Sequence, residues 1–258
     1  MEIVVKKIDS NCTCCFTYLD TLKDDFKVII KNLLLEIVKG KINEKLSHET
    51  STYDDALKEA AKYIHEKSND NFKVGIVGEL LAHIILRLEP LKARFYSLVP
   101  TIGYSDSKGT FFKGFDGCYY ENGALWLLEV KSKIDSNKKS LNKDNADKIK
   151  LASSTIESDA KDEKINRWDI AKNLLVTQFN NNDIVEKNLY SLLNKCNKNN
   201  YNQILTAMLI ADDGQFCEEY IKKYYKNLFH DIVTNQKILL ICIRNKDYQA
   251  IIDYIATL

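Results

Sequence analysis

The chain has 258 residues, of which 45% are hydrophobic and 28% charged, and this is the composition of a folded globular protein rather than a disordered or fibrous one. Its 37 basic and 36 acidic residues leave a formal net charge of +1, so any nucleic-acid surface must be local. No apolar run approaches the roughly 18 to 20 residues that cross a bilayer, and the amino terminus lacks the order of a signal peptide. We therefore expect a cytoplasmic protein with no membrane partner.

The seven cysteines are an odd number at irregular spacing, which favours reduced thiols over a disulfide framework. Cys12, Cys14 and Cys15 lie close together in the sequence, as zinc ligands often do. A structural zinc site normally takes four ligands in two spaced pairs, and no second pair exists here. We predict ordinary thiols in a strand or turn.

The first 70 residues carry recognisable elements but no chemical motif. Strands are predicted at 2–8 and 13–18, and amphipathic helices at 21–38 and 53–64. We expect residues 1–70 to be an N-terminal α/β extension that serves as a scaffold or contacts a partner.

From residue 71 onward the pattern predicts a second, larger domain that extends to residue 258. The expected order is α-β-β-β-α-β followed by α-β-α. Its elements are a helix at 73–89, strands at 93–99, 110–120 and 124–134, helices ending near 175 and at 183–195, and then strand, helix, strand and helix at 204–210, 216–233, 238–243 and 248–257.

Asn122-Gly123 is a strong signal for a two-residue hairpin, because a type I′ turn needs positive φ at both central positions. A turn centred there pairs residues whose numbers sum to 245, which puts Asp116 opposite Glu129. Lys131 lies on the same face. Opposed carboxylates repel one another in a sheet, so a cation is needed to stabilise them.

Two carboxylates and a lysine in this arrangement predict a Mg²⁺ site for phosphodiester cleavage, with Mn²⁺ as a possible substitute ion. Hard divalent cations take oxygen ligands, and the backbone carbonyl of Val130 is a further candidate beside Asp116 and Glu129. The ammonium of Lys131 would hold the attacking water and offset the charge of the transition state. The alternative is an exposed cluster of cross-strand charges, which the apolar Leu125 and Leu127 on the same face disfavour.

Glu79 lies in a helical stretch, residues 74–86, that is otherwise apolar or glycine apart from His83. A lone buried carboxylate is costly unless it is paired or bound to a metal. We therefore predict that Glu79 reaches the hairpin site as a metal ligand or water-holder, the alternative being a carboxylate near solvent. For His83 we favour a hydrogen-bonded core histidine.

Three blocks of the sequence resemble the PD-(D/E)XK nuclease superfamily and, more specifically, the HamA family, the effector nucleases of the Hachiman anti-phage system. They are Gly78–His83, Lys113–Gly117 and Leu125–Lys131. The resemblance implies an α/β fold, a mixed sheet flanked by helices, in which Asp116, Glu129 and Lys131 are catalytic and Glu79 completes the site. It also implies DNA as substrate and a superfamily 2 DNA helicase as the partner that restrains and releases the nuclease. The sequence departs from the motif in having Gly-Phe before Asp116 where the superfamily has proline.

The segment 131–150 contains seven lysines and three aspartates. It predicts phosphate contacts beside the site by Lys133, Lys138, Lys139 and Lys143, and the alternative is a solvated loop. Nothing in the sequence is typical of a base-reading module.

Two other functions remain open at the level of sequence. One is a catalytically idle subunit with a nuclease fold that binds the helicase or DNA. The other is a stand-alone restriction-type endonuclease, for which we would expect an additional recognition element.

Overall fold

The computed structural model describes residues 2–7, 12–18, 23–39, 55, 57–58, 61–67, 69–87, 96–100, 104–105, 110–111, 115–121, 123–134, 141–161, 167–178, 184–195, 201–211 and 235–258. Within these residues no helix is both long and apolar enough to cross a membrane.

A mixed sheet forms the centre of the fold. In the described part of the chain its strands are β1 (Glu2–Lys7), β2 (Cys12–Tyr18), β3 (Tyr96–Pro100), β6 (Gly117–Glu121), β7 (Ala124–Lys133), β8 (Asn202–Ala211) and β9 (Gln236–Arg244); β4 (Tyr104–Ser105) and β5 (Thr110–Phe111) pair separately. The seven strands of the sheet lie in the order β1-β2-β9-β8-β7-β6-β3, with parallel pairing from β2 to β7 and antiparallel pairing outside that region.

Helices cover both faces of this sheet. They are α1 (Asp24–Lys39), α2 (Asp70–Leu86), α3 (Leu141–Lys161), α4 (Arg167–Gln178), α5 (Ile184–Lys195) and α6 (Asn245–Ile255), and a π-helical turn spans Tyr63–Lys67. The apolar faces of α1, α2 and α6 share a core with Trp126, Leu128 and Val130 of β7. Helix α3 packs against β7 and β8 on the opposite face, where Asp144 binds Lys133. The predicted α/β class is confirmed.

The N-terminal segment continues the same sheet. Strand β2 pairs in parallel with β9, and Phe26, Ile30 and Leu34 of α1 lie in the core with α2. The predicted strand position of Cys12, Cys14 and Cys15 is confirmed, because all three belong to β2. A partner-binding role for residues 1–70 stays a prediction.

The hairpin register is confirmed, but its first strand is shorter than predicted. Residues Gly117–Glu121 pair with 124–128 so that their numbers sum to 245, and Gly123 has φ of 80° in the turn. The prediction of one strand over 110–120 is wrong: Thr110–Phe111 pairs with β4, and β6 begins only at Gly117. Asp116 therefore precedes the strand instead of forming a cross-strand pair with Glu129.

The remaining predicted elements occur with shifted ends. Helix 73–89 is observed as 70–86, and the polar segment after β7 is helical from Leu141, so a loop extending to residue 150 is wrong. The predicted helix 216–233 lies outside the described residues.

Gly78 allows α2 to approach β7 closely. A Cβ atom built at this position would collide with Ser132 Oγ and lie 3.3 Å from Val130 Cγ1, whereas one at Gly75 would meet nothing within 4 Å. The contact at Gly78 sets the spacing between the helix that carries Glu79 and the strand that carries Glu129.

Substituting these two glycines should have opposite effects on stability. Gly75→Ala should stabilise the protein by about 0.5–1 kcal/mol, since it removes only the entropy cost of a helical glycine. Gly78→Ala should destabilise it, because overpacking costs about 1–3 kcal/mol. Denaturant unfolding of both variants would measure this, and equal stabilisation by the two would show that the approach at Gly78 is not tight.

Candidate active site

The carboxylates predicted from the sequence meet where β7 extends beyond β6. Pairing with β6 ends at Leu128, while β7 continues to Lys133 paired with β8 on its other side. Beyond this point Val130 N donates a hydrogen bond of 2.7 Å to Oδ2 of Asp116. The Asp116 side chain thus takes the place of a strand partner, which positions its carboxylate beside Glu129.

Glu129 and Lys131 form a direct ion pair on the α3 face of β7. Residues two apart in a strand point the same way, and Lys131 Nζ lies 2.5 Å from Glu129 Oε1. The Glu129 side chain is 5% exposed, while that of Lys131 is 24% exposed. Leu125 and Leu127 on the same face are buried, so the site is no exposed charge cluster.

Burial and mutual repulsion raise the pKa values of all three carboxylates. The pKa of Glu79 rises from 4.5 to about 8, chiefly through burial and then through the charge of Glu129. That of Glu129 rises to about 8 through burial and the charge of Asp116. Burial and the charge of Glu79 raise the pKa of Asp116 well above its usual range. Glu79 therefore lies in the same electrostatic cluster as the hairpin pair.

Lys131 is the cation that these carboxylates share. Burial by itself would lower the pKa of Lys131, but the charges of Glu129, Asp116 and Glu79 together raise it above its ordinary value. Lys131 thus stays protonated and partly neutralises the cluster.

Two carboxylate oxygens of the cluster have unused hydrogen-bonding capacity. Oε2 of Glu79 and Oε2 of Glu129 are both buried and have no hydrogen-bond partner among the described residues, although part of the Glu79 side chain is exposed. Buried oxygens of this kind are normally satisfied by a donor or a cation. The Oε2 atoms of Glu79 and Glu129 are suitable ligands for a hard divalent cation. No three His, Cys, Asp or Glu side chains in the described residues lie close enough together to hold a metal ion as they stand.

His83 links helix α2 to the backbone of Asp116. Its ring is fully buried, Nε2 lies 2.9 Å from the carbonyl oxygen of Asp116, and Nδ1 lies 2.5 Å from the hydroxyl of Tyr119. A carbonyl can only accept, so Nε2 donates its proton and Nδ1 accepts from Tyr119. Burial, with a smaller effect of Arg87, lowers the pKa of His83 to about 3. His83 is therefore a neutral, hydrogen-bonded core histidine, as predicted, and it positions Asp116.

A second ion pair near the site was not predicted. Arg167 Nη2 lies 2.8 Å from Asp159 Oδ1. The charge of Arg167 lowers the pKa of Asp116. The charge of Asp159 raises the pKa of Glu129. The Phe115 and Trp168 rings, 5.0 Å apart, bring the segments preceding β6 and beginning α4 together. No sequence signal reveals this pair, because the link is a tertiary ring contact.

The predicted phosphate-binding lysines have different environments. Lys133 donates to the buried Asp144 at 2.5 Å, Lys143 is exposed on α3, and Lys138 and Lys139 lie outside the described residues. Their DNA-binding role stays a prediction.

The raised carboxylate pKa values predict that stability falls with pH when no cation is bound. Glu79 and Glu129 have a pKa of about 8 in the folded state and of 4.5 in the unfolded state. Between these two pH values the folded protein holds more protons than the unfolded protein, so the free energy of unfolding decreases as the pH rises to about 8. His83 acts in the opposite sense only below pH 6.5. Melting in chelator should therefore occur at lower temperature at pH 8.5 than at pH 6.5.

Glu79→Gln identifies the source of this dependence. It should flatten the decrease between pH 6.5 and 8.5, whereas Glu157→Gln, at an exposed position of α3, should leave it unchanged. If the melting temperature decreases equally with pH in wild type and Glu79→Gln, Glu79 does not interact with the other carboxylates.

Comparison with known families supports the relation between this chain and one family along nearly its whole length. No curated protein matches the sequence. The sequence model of the family described as HamA matches residues 2–257, which include every side chain of the site above as well as the N-terminal strands. The chain therefore belongs to the HamA family, and this membership implies a role in anti-phage defence.

Proposed function

We propose that this protein is a metal-dependent DNA endonuclease that acts in the cytoplasm as the effector of a Hachiman-like anti-phage complex. The observation that carries the proposal is the cluster of half-buried Glu79 and Asp116 and buried Glu129 beside Lys131, at the point where β7 extends beyond β6. Family membership supports the setting in phage defence.

The order of elements around the cluster supports a PD-(D/E)XK arrangement. Helix α2 is followed by β3, β6 and β7, which pair antiparallel, then by α3, and then by β8, which pairs in parallel with β7. This is the α-β-β-β-α-β order that the resemblance implies. The short β4–β5 pair is an insertion between its first two strands.

The residues of the cluster suit Mg²⁺, with Mn²⁺ as a substitute. Asp116, Glu129 and Glu79 would hold the ion, together with the backbone carbonyl of Val130. That carbonyl points to the same side of β7 as Val130 N, which already donates to Asp116. When bound, the ion would lower the pKa of a coordinated water and neutralise charge on the phosphate.

Lys131 is the residue best placed to act on the reacting groups. Binding of a cation would compete with Lys131 for Glu129 Oε1 and free its ammonium. The protonated Nζ would then orient the attacking water and stabilise the negative charge that develops on the phosphate oxygens. Glu79, which is protonated at neutral pH when no cation is present, would ionise as the ion binds.

The proposal predicts cleavage of DNA in Mg²⁺ or Mn²⁺ that is abolished by chelator. Lys131→Ala and Glu129→Gln should each lower the cleavage rate at least 100-fold, because each removes a group that acts directly on charge in the transition state. Lys150→Ala, at an exposed position on α3, serves as the matched control. Gel-based cleavage of plasmid and linear DNA, with melting curves for each variant, would measure this.

The outcomes separate the proposal from its alternatives. Full activity in folded Lys131→Ala would contradict the assignment of the site. DNA or helicase binding without cleavage, both in isolation and in the activated complex, would favour a catalytically idle subunit. Cleavage confined to one short sequence would favour a restriction-type enzyme.

The partner in this proposal is the superfamily 2 DNA helicase of the same defence system, which would restrain the nuclease and release it. Helix α1 offers a contact surface, since its inner face is buried while Val28 and Ile29 are 55% and 41% exposed. These two exposed apolar side chains, beside a face that is already packed, make α1 our choice for the helicase contact.

We predict that Val28→Lys combined with Ile29→Lys abolishes copurification with the coexpressed helicase while the melting temperature stays unchanged. Leu151→Lys is the control, since Leu151 is also an exposed apolar residue but lies on α3. Deleting the N-terminal segment is a poorer test, because β1 and β2 belong to the central sheet. Undiminished copurification of the double variant would show that the helicase does not bind through Val28 and Ile29 of α1.

A further inference from the structure

Helix α3 runs antiparallel to β7 across the face that carries Glu129 and Lys131. Near its beginning, Asp144 contacts Lys133, the last residue of β7. Further along, Ser153 Oγ lies 3.2 Å from Oε1 of Gln203, whose register partner in β7 is Leu127. Lys148 lies between these two contacts along the helix, near enough to Lys131 for the two charges to interact.

Lys148 is held in this position without an anion of its own. It is half-buried and makes no hydrogen bond or ion pair with any residue that the structure describes. Asp144, one helical turn earlier, is engaged by Lys133 at 2.5 Å, and Lys131 is engaged by Glu129. Burial, followed by the charges of Lys133 and Lys131, lowers the pKa of Lys148, against an opposing effect of Asp144 and Asp147. Because Asp144 and Glu129 are engaged by other lysines, the ammonium of Lys148 is available to an external anion.

The geometry points to Lys148 as a binding position for a backbone phosphate of the DNA, next to the phosphate that is cleaved. The inference rests on the proposed nuclease function and adds to it a residue outside the three motif blocks. The polyanion supplies the missing charge, since phosphate contacts provide most of the sequence-independent affinity of DNA-binding proteins. Lys148 would act by holding the strand in place, while the reaction occurs at the carboxylate cluster.

This assignment changes which lysines of the segment 131–150 are expected to contact DNA. Lys133 is already bound to a buried carboxylate, and Lys143 lies exposed near the start of α3. Lys148 is one turn beyond Asp144 on the helix face turned toward β7. The helix, rather than a basic loop alone, therefore lines the side of the site.

The test is the salt dependence of DNA binding by the full-length protein in chelator. A fluorescent duplex of random sequence would be titrated with wild type, Lys148→Gln, Lys148→Arg and Lys150→Gln at several KCl concentrations, with anisotropy as the readout. Lys148→Gln should lower the slope of log Kd against log[KCl] by about 0.9, the amount expected for one lost phosphate contact. Lys148→Arg should retain the wild-type slope, because it keeps the charge.

Lys150→Gln controls for the general charge of the helix, since Lys150 is exposed and lies about 200° around α3 from Lys148. An equal change of slope in Lys148→Gln and Lys150→Gln would overturn the inference, as would no change in Lys148→Gln or no binding by wild type. Melting curves would establish that each variant is folded, and removal of a repelling charge should not destabilise Lys148→Gln.

The same variants separate this inference from the proposed function. If wild type cleaves DNA and Lys148→Gln binds with the wild-type slope, the phosphate position is wrong and the nuclease assignment stands. If the slope depends on Lys148 but no variant cleaves DNA with Mg²⁺, the phosphate position stands and the nuclease assignment is wrong. If both are right, Lys148→Gln should raise KM for DNA more than it lowers kcat.

Discussion

The structure depends on three buried or half-buried carboxylates that share a single lysine beside the free side of β7. Burial and mutual repulsion raise the pKa values of Glu79, Asp116 and Glu129, while the ammonium of Lys131 offsets only part of their charge. Two of their oxygens are buried and lack a hydrogen-bond donor among the described residues. A fold that retains this arrangement gives up stability in the cation-free state, and in the proposed function a divalent cation would relieve the repulsion and supply chemistry at the same time.

The packing around the cluster keeps it from relaxing. Gly78 and Gly117 lie beside Glu79 and Asp116 in the sequence, and each permits a contact that a Cβ atom would disturb. A Cβ at Gly117 would lie 2.9 Å from Cε1 of His83. The hydrogen bonds of the His83 ring then join Tyr119 of β6 to the backbone of Asp116. Asp116 is therefore held in place by its neighbours, both through its backbone carbonyl and through the hydrogen bond from Val130 N to its side chain.

The N-terminal segment connects this site to the proposed regulation. Strands β1 and β2 extend the sheet through β9, and α1 packs in the core shared with α2, the helix that carries Glu79. A partner bound at the exposed Val28 and Ile29 would contact an element that is packed against the catalytic scaffold. If the proposed function is right, this continuity offers a physical route by which the helicase would restrain the activity, since a small shift of α1 against α2 would alter the packing at Gly78 and the position of Glu79.

The sequence by itself determined the local features of this protein. The Asn-Gly turn fixed the register of β6 and β7, since its backbone conformation restricts the pairing, and an almost wholly apolar helix marked His83 as buried, whereas Glu79 is half-buried. Tertiary structure decided what depends on contacts between distant segments. The sequence could not show that β6 begins after Asp116, because the side chain of Asp116 takes the hydrogen bond of Val130 in place of a strand. Nor could it show that Arg167 and Lys148 lie near the site, because an aromatic contact and the path of α3 across β7 bring them there.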